Sequence, residues 1–121
     1  VTPLDLPARV NADPVLRRWG RDLSADVLLE VGGQSWLLAI VKGVITQVRQ
    51  GPFLMPRWDV ALRADAEAWA DYLRPEPPPG RHDLFALIRF GKLKLEGNPH
   101  PFMSHILWFK GALATLRGAA A

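Results

Sequence analysis

The stretch that most constrains this chain is Gly91 to Arg117, GKLKLEGNPHPFMSHILWFKGALATLR. Successive side chains of a strand alternate, so Leu93 and Leu95 fall on one side of a short strand and Lys92, Lys94 and Glu96 on the other. Gly97-Asn98 makes a turn, and Pro99 and Pro101 suit a first helical turn, where a missing N–H costs nothing. Phe102, Ile106, Phe109, Leu113 and Leu116 then recur at helical spacing. Met103, Leu107 and Ala114 widen that stripe beyond one packing seam. A strand with one apolar face, followed by a long helix with a very broad one, predicts a helix laid over a sheet. Beneath it lies either a filled core or a cavity.

The residues upstream supply the sheet. Asp26 to Val31 alternates with Val27, Leu29 and Val31 on one face, Gly32-Gly33 is a hairpin turn, and Gln34 to Val41 returns with Trp36, Leu38 and Ile40. After Lys42-Gly43 comes a third strand, Val44 to Gln50. Beyond Gly51-Pro52 and the apolar loop Phe53-Leu54-Met55-Pro56 comes a fourth, Trp58 to Ala64, with Trp58, Val60 and Leu62 inward. The pattern reads as a meander with one apolar face. At Asp65, a credible helix cap, the period changes from two to about 3.6, with Ala66, Trp69, Ala70 and Leu73 as the buried stripe. Pro75 to Gly80 is a stiff connector, and Asp83 caps a short helix from Leu84 to Phe90 closed by Gly91. Ahead of the sheet, Asp13 caps a short helix with Pro14 at its first position, ending at Gly20. Residues 1–12 carry two prolines and little periodicity, and read as an extended lead-in or linker. The order is α-ββββ-α-α-β-α: an α+β domain over residues 13–117, a mostly antiparallel five-stranded sheet with helices packed on one face, and a tail at 118–121.

Several function classes find no footing. The chain has no cysteine, which removes disulfides, thiol catalysis and thiolate metal sites. Its net charge of +3 comes from scattered residues rather than one basic face, so no nucleic-acid partner is expected. No apolar run reaches the length of a membrane span. His82, His100 and His105 lack metal-ligand spacing, since five residues is about 140° around a helix, and no metal is expected. Ser104 lies four residues from His100, an offset a nucleophile and its base would use. No acid orients the imidazole and there is no G-x-S-x-G elbow. Asp65, Glu67 and Asp71 read as helix-start charges, and Lys92 and Lys94 as guards of an edge strand. Neither a G-x-G-x-x-G nor a phosphate-loop pattern occurs, so no nucleotide cofactor is expected. The chain is expected not to be an enzyme, and to need no cofactor.

Three segments carry a family likeness: the hairpin VLLEVGGQSWLLAIVKGVI, the strand-then-helix WDVALRADAEAWADYL, and GKLKLEGN before the closing helix. On these the chain, from about Val27 to Arg117, resembles the sterol carrier protein type-2 family of lipid-binding domains. The resemblance implies a five-stranded sheet with helices over one face, enclosing an apolar tunnel for fatty acyl chains, sterols or other lipids. In some members the domain is appended to an enzyme or assists ubiquinone biosynthesis. Two departures stand out. The proline run Pro75 to Gly80 replaces a glycine-containing loop, and Gly97-Asn98 replaces a Gly-Asp turn.

The surplus of aromatics on inward faces, with five Trp and five Phe, agrees with an apolar pocket. The expected lining is Trp36, Trp58, Trp69, Phe85, Ile88, Phe102, Met103, Ile106 and Phe109. The loop Phe53, Leu54 and Met55 is expected to form an entrance or to touch a membrane. The expected ligand is a hydrophobic, lipid-like molecule of fatty acyl, sterol or isoprenoid/quinone type. The expected setting is cytoplasmic, with a peripheral membrane location as an option. The alternative is a filled core that forms a homodimer or docks onto an enzyme partner through the Phe53 loop and the last helix.

Overall fold

The computed structural model describes residues 3–54, 56–74 and 83–116. Five strands form one sheet: β1 (Ala25–Val31), β2 (Gln34–Val41), β3 (Val44–Gln50), β4 (Val60–Ala64) and β5 (Leu93–Gly97), in spatial order β3-β2-β1-β4-β5. Three pairings are antiparallel, but β4 runs parallel to β1, so the sheet is mixed and the expected four-strand meander is not formed. The reason lies in β1, which is apolar on both sides. Val27 and Leu29 are buried on one face and Leu28 on the other, so it takes the central place with β2 and β4 flanking it. The connection 51–59 returns β4 to the far side of β1.

Helices cover one face only: α1 (Leu6–Asn11), α2 (Pro14–Trp19), α3 (Ala66–Tyr72), α4 (Leu84–Arg89), α5 (His100–Ser104) and α6 (Ile106–Ala114). Residues 3–11, expected as an extended lead-in, are helical. A 3-10 turn, Pro3–Asp5, runs into α1. Leu6 and Val10 sit one turn apart and are fully buried in the main core, which repays the ordering of the segment. Pro7 is tolerated because it falls in the first helical turn. Asn11 then imitates a sixth strand. Its amide nitrogen donates to Ile45 O (3.0 Å) and its amide oxygen accepts from Ile45 N (2.9 Å), closing part of the β3 edge.

The other caps fall where the sequence puts them. Asp13 accepts from Val15 N, Asp65 from Ala68 N and Asp83 from Phe85 N. In α3 the buried face is Ala68, Trp69 and Tyr72, with Leu73 following, while Ala66 and Ala70 face water. The C-terminal helix is not continuous but breaks at His105. The Pro101 carbonyl, which an unbroken helix would give to the His105 N–H, lies 3.2 Å from the His105 ring, and that N–H bonds Phe102 O instead. Ser104 Oγ donates to His100 O (2.7 Å). Such local side-chain bonds compete with the helical ladder. The break also moves the buried stripe: Trp108, Phe109, Ala112 and Leu113 face the sheet, while Leu107 is exposed.

Candidate functional site

The space between sheet and helices has an apolar floor and an apolar roof. Strand pairing puts Val27, Leu29, Trp36, Leu38 and Val60 on the helix-facing side, and α5 and α6 close it from above with Phe102, Phe109 and Leu113. The rings of Phe102 and Phe109 lie 5.0 Å apart, and those of Trp108 and Phe109 5.1 Å apart edge to face. No polar or charged residue is buried among the described residues. Two of the buried tryptophans meet their hydrogen-bond need at the backbone: Trp69 Nε1 donates to Glu30 O (2.8 Å) and Trp108 Nε1 to Gly43 O (3.2 Å).

Among the described residues this interior is closely packed. Two apolar hollows of about 10 Å³ each lie among them, one by Pro3, Val31, Trp69 and Leu116, the other by Leu6, Leu38, Trp108 and Ala112. Leu29 of the floor and Leu113 of the roof border both. A hollow of that size holds at most a water, and an apolar one stays dry.

A larger hollow, about 530 Å³, lies on the opposite, helix-free face, lined by Leu37, Ala39, Gln47, Arg49, Phe53 and Arg57 among others. Its walls mix charged and amide groups with apolar ones and it opens to water, so an acyl chain lying there would stay largely hydrated. Beside it Phe53 and Trp58 pack on Leu28, Leu37 and Ala61. Farther along, Arg63 bonds both Glu30 and Glu96, and its guanidinium lies 5.8 Å from the Trp58 ring. Burial alone would lower the Arg63 pKa, but the hydrogen bonds it donates to Glu96 and Glu30, together with their charges, outweigh it and hold the pKa above its ordinary value. Arg63 is therefore a permanent cation of the open face.

The expected lining residues divide between these places. Trp36, Trp69, Phe102 and Phe109 are buried on the helix-facing side, with Ile88 and Ile106 partly buried against the same core. Phe85 and Met103 reach the surface, at 39% and 45% exposure. Phe85 sets its edge on Phe102 and takes the Lys110 ammonium 4.7 Å above its ring. Trp58 is on the wrong face. Strand β4 starts at Val60, because Asp59 turns aside to accept from Asp26 N (2.8 Å) and donate to Asp26 O (2.8 Å), so strand alternation does not reach Trp58. The loop expected as an entrance also lies beyond the sheet. Phe53 and the 95%-exposed Leu54 border the open-face hollow, separated from the interior by the strands themselves; Met55 lies outside the described residues.

Sequence reasoning missed Leu29, Leu113 as a shared wall, and Trp108. Trp108, Ala112 and Leu116 at spacing four form a rival stripe that is legible once the helix is allowed to break. Among the described residues no group of histidines and carboxylates could hold a metal, and His82 lies outside them. Ser104 Oγ lies 2.7 Å from the His100 carbonyl oxygen and 3.1 Å from His105 Nδ1, so its hydrogen-bond contacts are with the His100 backbone and the His105 ring.

No protein-family model and no curated protein matches the sequence. The fold does have counterparts among solved structures. A crystal structure of sterol carrier protein 2 superposes with a TM-score of 0.76 at 15% identity, covering 93% of this chain and 91% of that one. A protein described as UbiJ-SCP2, a ubiquinone synthesis protein, has a TM-score of 0.59 at 22% identity, with 88% of each chain covered. The apo form of sterol carrier protein 2 from Yarrowia lipolytica has a TM-score of 0.59 at 16% identity, covering 95% of this chain and 86% of that one. No helix among the described residues is long and apolar enough to cross a membrane. A five-stranded mixed sheet with helices on one face, superposing on these structures over nearly its whole length, gives this chain the fold of the sterol carrier protein 2 domains.

Proposed function

We propose that this chain is a non-enzymatic carrier or accessory domain that seats a hydrophobic, lipid-like molecule between its sheet and its helices. The observation that carries this reading is the interior itself. Floor and roof are apolar throughout the described residues, and two hollows meet at a wall made by Leu29 and Leu113. The interior is closely packed among the described residues, so in this reading a ligand enters by displacing α6, a helix of nine residues joined to α5 through the break at His105. Each buried methylene of the ligand contributes roughly 0.8 kcal/mol, offset by the contacts α6 gives up and by ordering the chain. Long chains are thereby favoured over short ones. The fold shared with a ubiquinone synthesis protein supports an accessory role of that kind. A cytoplasmic setting with transient membrane contact through exposed Leu54 belongs to the same reading.

Mass spectrometry of the purified protein, native and then after organic extraction, tests this. A co-purifying lipid at one per chain is expected. From stripped protein, long-chain lipids should displace the neutral probe N-phenylnaphthylamine. Ile106→Trp adds bulk at a half-buried site against the core and should abolish that displacement. Binding of every lipid unchanged by Ile106→Trp would sink the proposal. A protein that binds no lipid and scatters light as a dimer would instead be a docking domain.

A further inference from the structure

The indole of Trp36 is the exception in an otherwise satisfied interior. Its Nε1 is the single buried side-chain nitrogen or oxygen without a hydrogen-bond partner among the described residues, on a side chain only 3% exposed. Trp69 and Trp108 show that this fold can bring a backbone carbonyl to a buried indole. A donor removed from water and left unmet is destabilising, and native interiors hold few of them. Its place is informative. Trp36 pairs directly across from Leu29 on the helix-facing side of the sheet, and Leu29 borders both hollows.

We propose that Trp36 is the specificity contact of the interior site, donating its indole N–H to a neutral oxygen at the polar end of the bound lipid. This rests on the reading that the interior takes a lipid. Indole Nε1–H donates and cannot accept, so the matching group is an acceptor. The interior holds no buried cation among the described residues, so nothing there balances an ionised carboxylate, whose unpaired burial costs far more than a neutral carbonyl's. The ligand class is therefore a long apolar chain ending in a ketone, quinone-type or ester carbonyl rather than a free fatty acid. That end lies by Trp36, close to the β1–β2 turn.

Three probes of matched chain length test this on the whole protein: dodecane, the methyl ketone of the same length, and laurate, each displacing N-phenylnaphthylamine. The wild type is expected to bind the ketone about five- to tenfold more tightly than dodecane, the worth of one neutral hydrogen bond, and laurate most weakly. Trp36→Phe should reverse that order and bind dodecane more tightly than the ketone, whose oxygen would then be buried unpaired. In NMR spectra of the wild type, the Trp36 indole N–H resonance, identified by its loss in Trp36→Phe, should move downfield with the ketone and not with dodecane. This readout does not depend on the variant binding normally. Equal binding of ketone and dodecane by the wild type, a preference that survives Trp36→Phe, or a resonance that ignores the ketone each overturns the assignment while leaving the lipid site standing. Failure of all three probes to displace the reporter removes the lipid site and the Trp36 assignment with it.

Discussion

Leu113→Ala probes whether the unliganded interior is as filled in solution as the structure shows. Leu113 is 4% exposed and borders both hollows. The change removes three carbon atoms, worth about 0.8 kcal/mol each in transfer from water, or about 2.4 kcal/mol together. A cavity term adds to this. The vacated space joins the two existing hollows, and α6 cannot sink to fill it. The Trp108 indole on the same helix is tied to Gly43 O and holds it in place. Partial collapse of such a site contributes about 1 kcal/mol more, for a loss of about 3 to 4 kcal/mol, inside the range seen for buried Leu-to-Ala changes. Urea denaturation followed by far-ultraviolet circular dichroism measures it, as a lowered midpoint with an unchanged slope. The enlarged dry cavity should also bind dodecane more tightly than the wild type does, since less of α6 has to move. A loss below about 1 kcal/mol would refute the reasoning: Leu113 would then already be loosely packed, and the interior open without a ligand.

Gly20→Ala should destabilise strongly, by about 2 kcal/mol or more, because its Cβ would stand 2.4 Å from Trp108 Cδ1 and 2.8 Å from Gly43 Cα, neither free to yield. Gly111→Ala meets only the flexible tip of Leu16 at 2.4 Å and sits within a helix, so its thermal midpoint should stay close to wild type. Arg63→Met removes an ion network on the open face whose side chains are about a third exposed, and urea denaturation should show a loss of no more than about 1 kcal/mol that shrinks in high salt. A raised Arg63 pKa stabilises at every pH below the ordinary arginine value and is lost only as pH rises through the folded one, so the network adds no pH dependence through Arg63 between pH 5 and pH 9.

The first hairpin was legible because Gly32-Gly33 and Lys42-Gly43 stand where the alternation of Val27, Leu29, Trp36, Leu38 and Ile40 reverses. The short helices were legible from the caps Asp13, Asp65 and Asp83, whose carboxylates all accept from nearby backbone N–H groups. These are local matters, decided within a few residues by backbone geometry and by unsatisfied helix-end donors. The buried aromatics Trp36, Trp69, Phe102 and Phe109 followed from the same periodicities.

Pairing between distant segments decided the rest. That β4 lies beside β1 rather than β3 depends on burying β1 on both faces, which no window of the sequence expresses. The bonds between Asp59 and Asp26, which break the alternation ahead of Val60, likewise join distant segments and leave Trp58 with Phe53 on the face opposite the helices. The lead-in became helix because Leu6 and Val10 found α6 and β3 to pack against, a gain from tertiary contact that outweighs weak local propensity. The sequence by itself determined an α+β domain with one broad apolar helix face. The tertiary structure decided that this face is closely packed among the described residues, that Leu29 and Leu113 border both of its small hollows, and that the buried Trp36 indole N–H has no partner there. Close packing and hydrogen-bond satisfaction are properties of residues brought together across the chain, and no single stretch of it contains them.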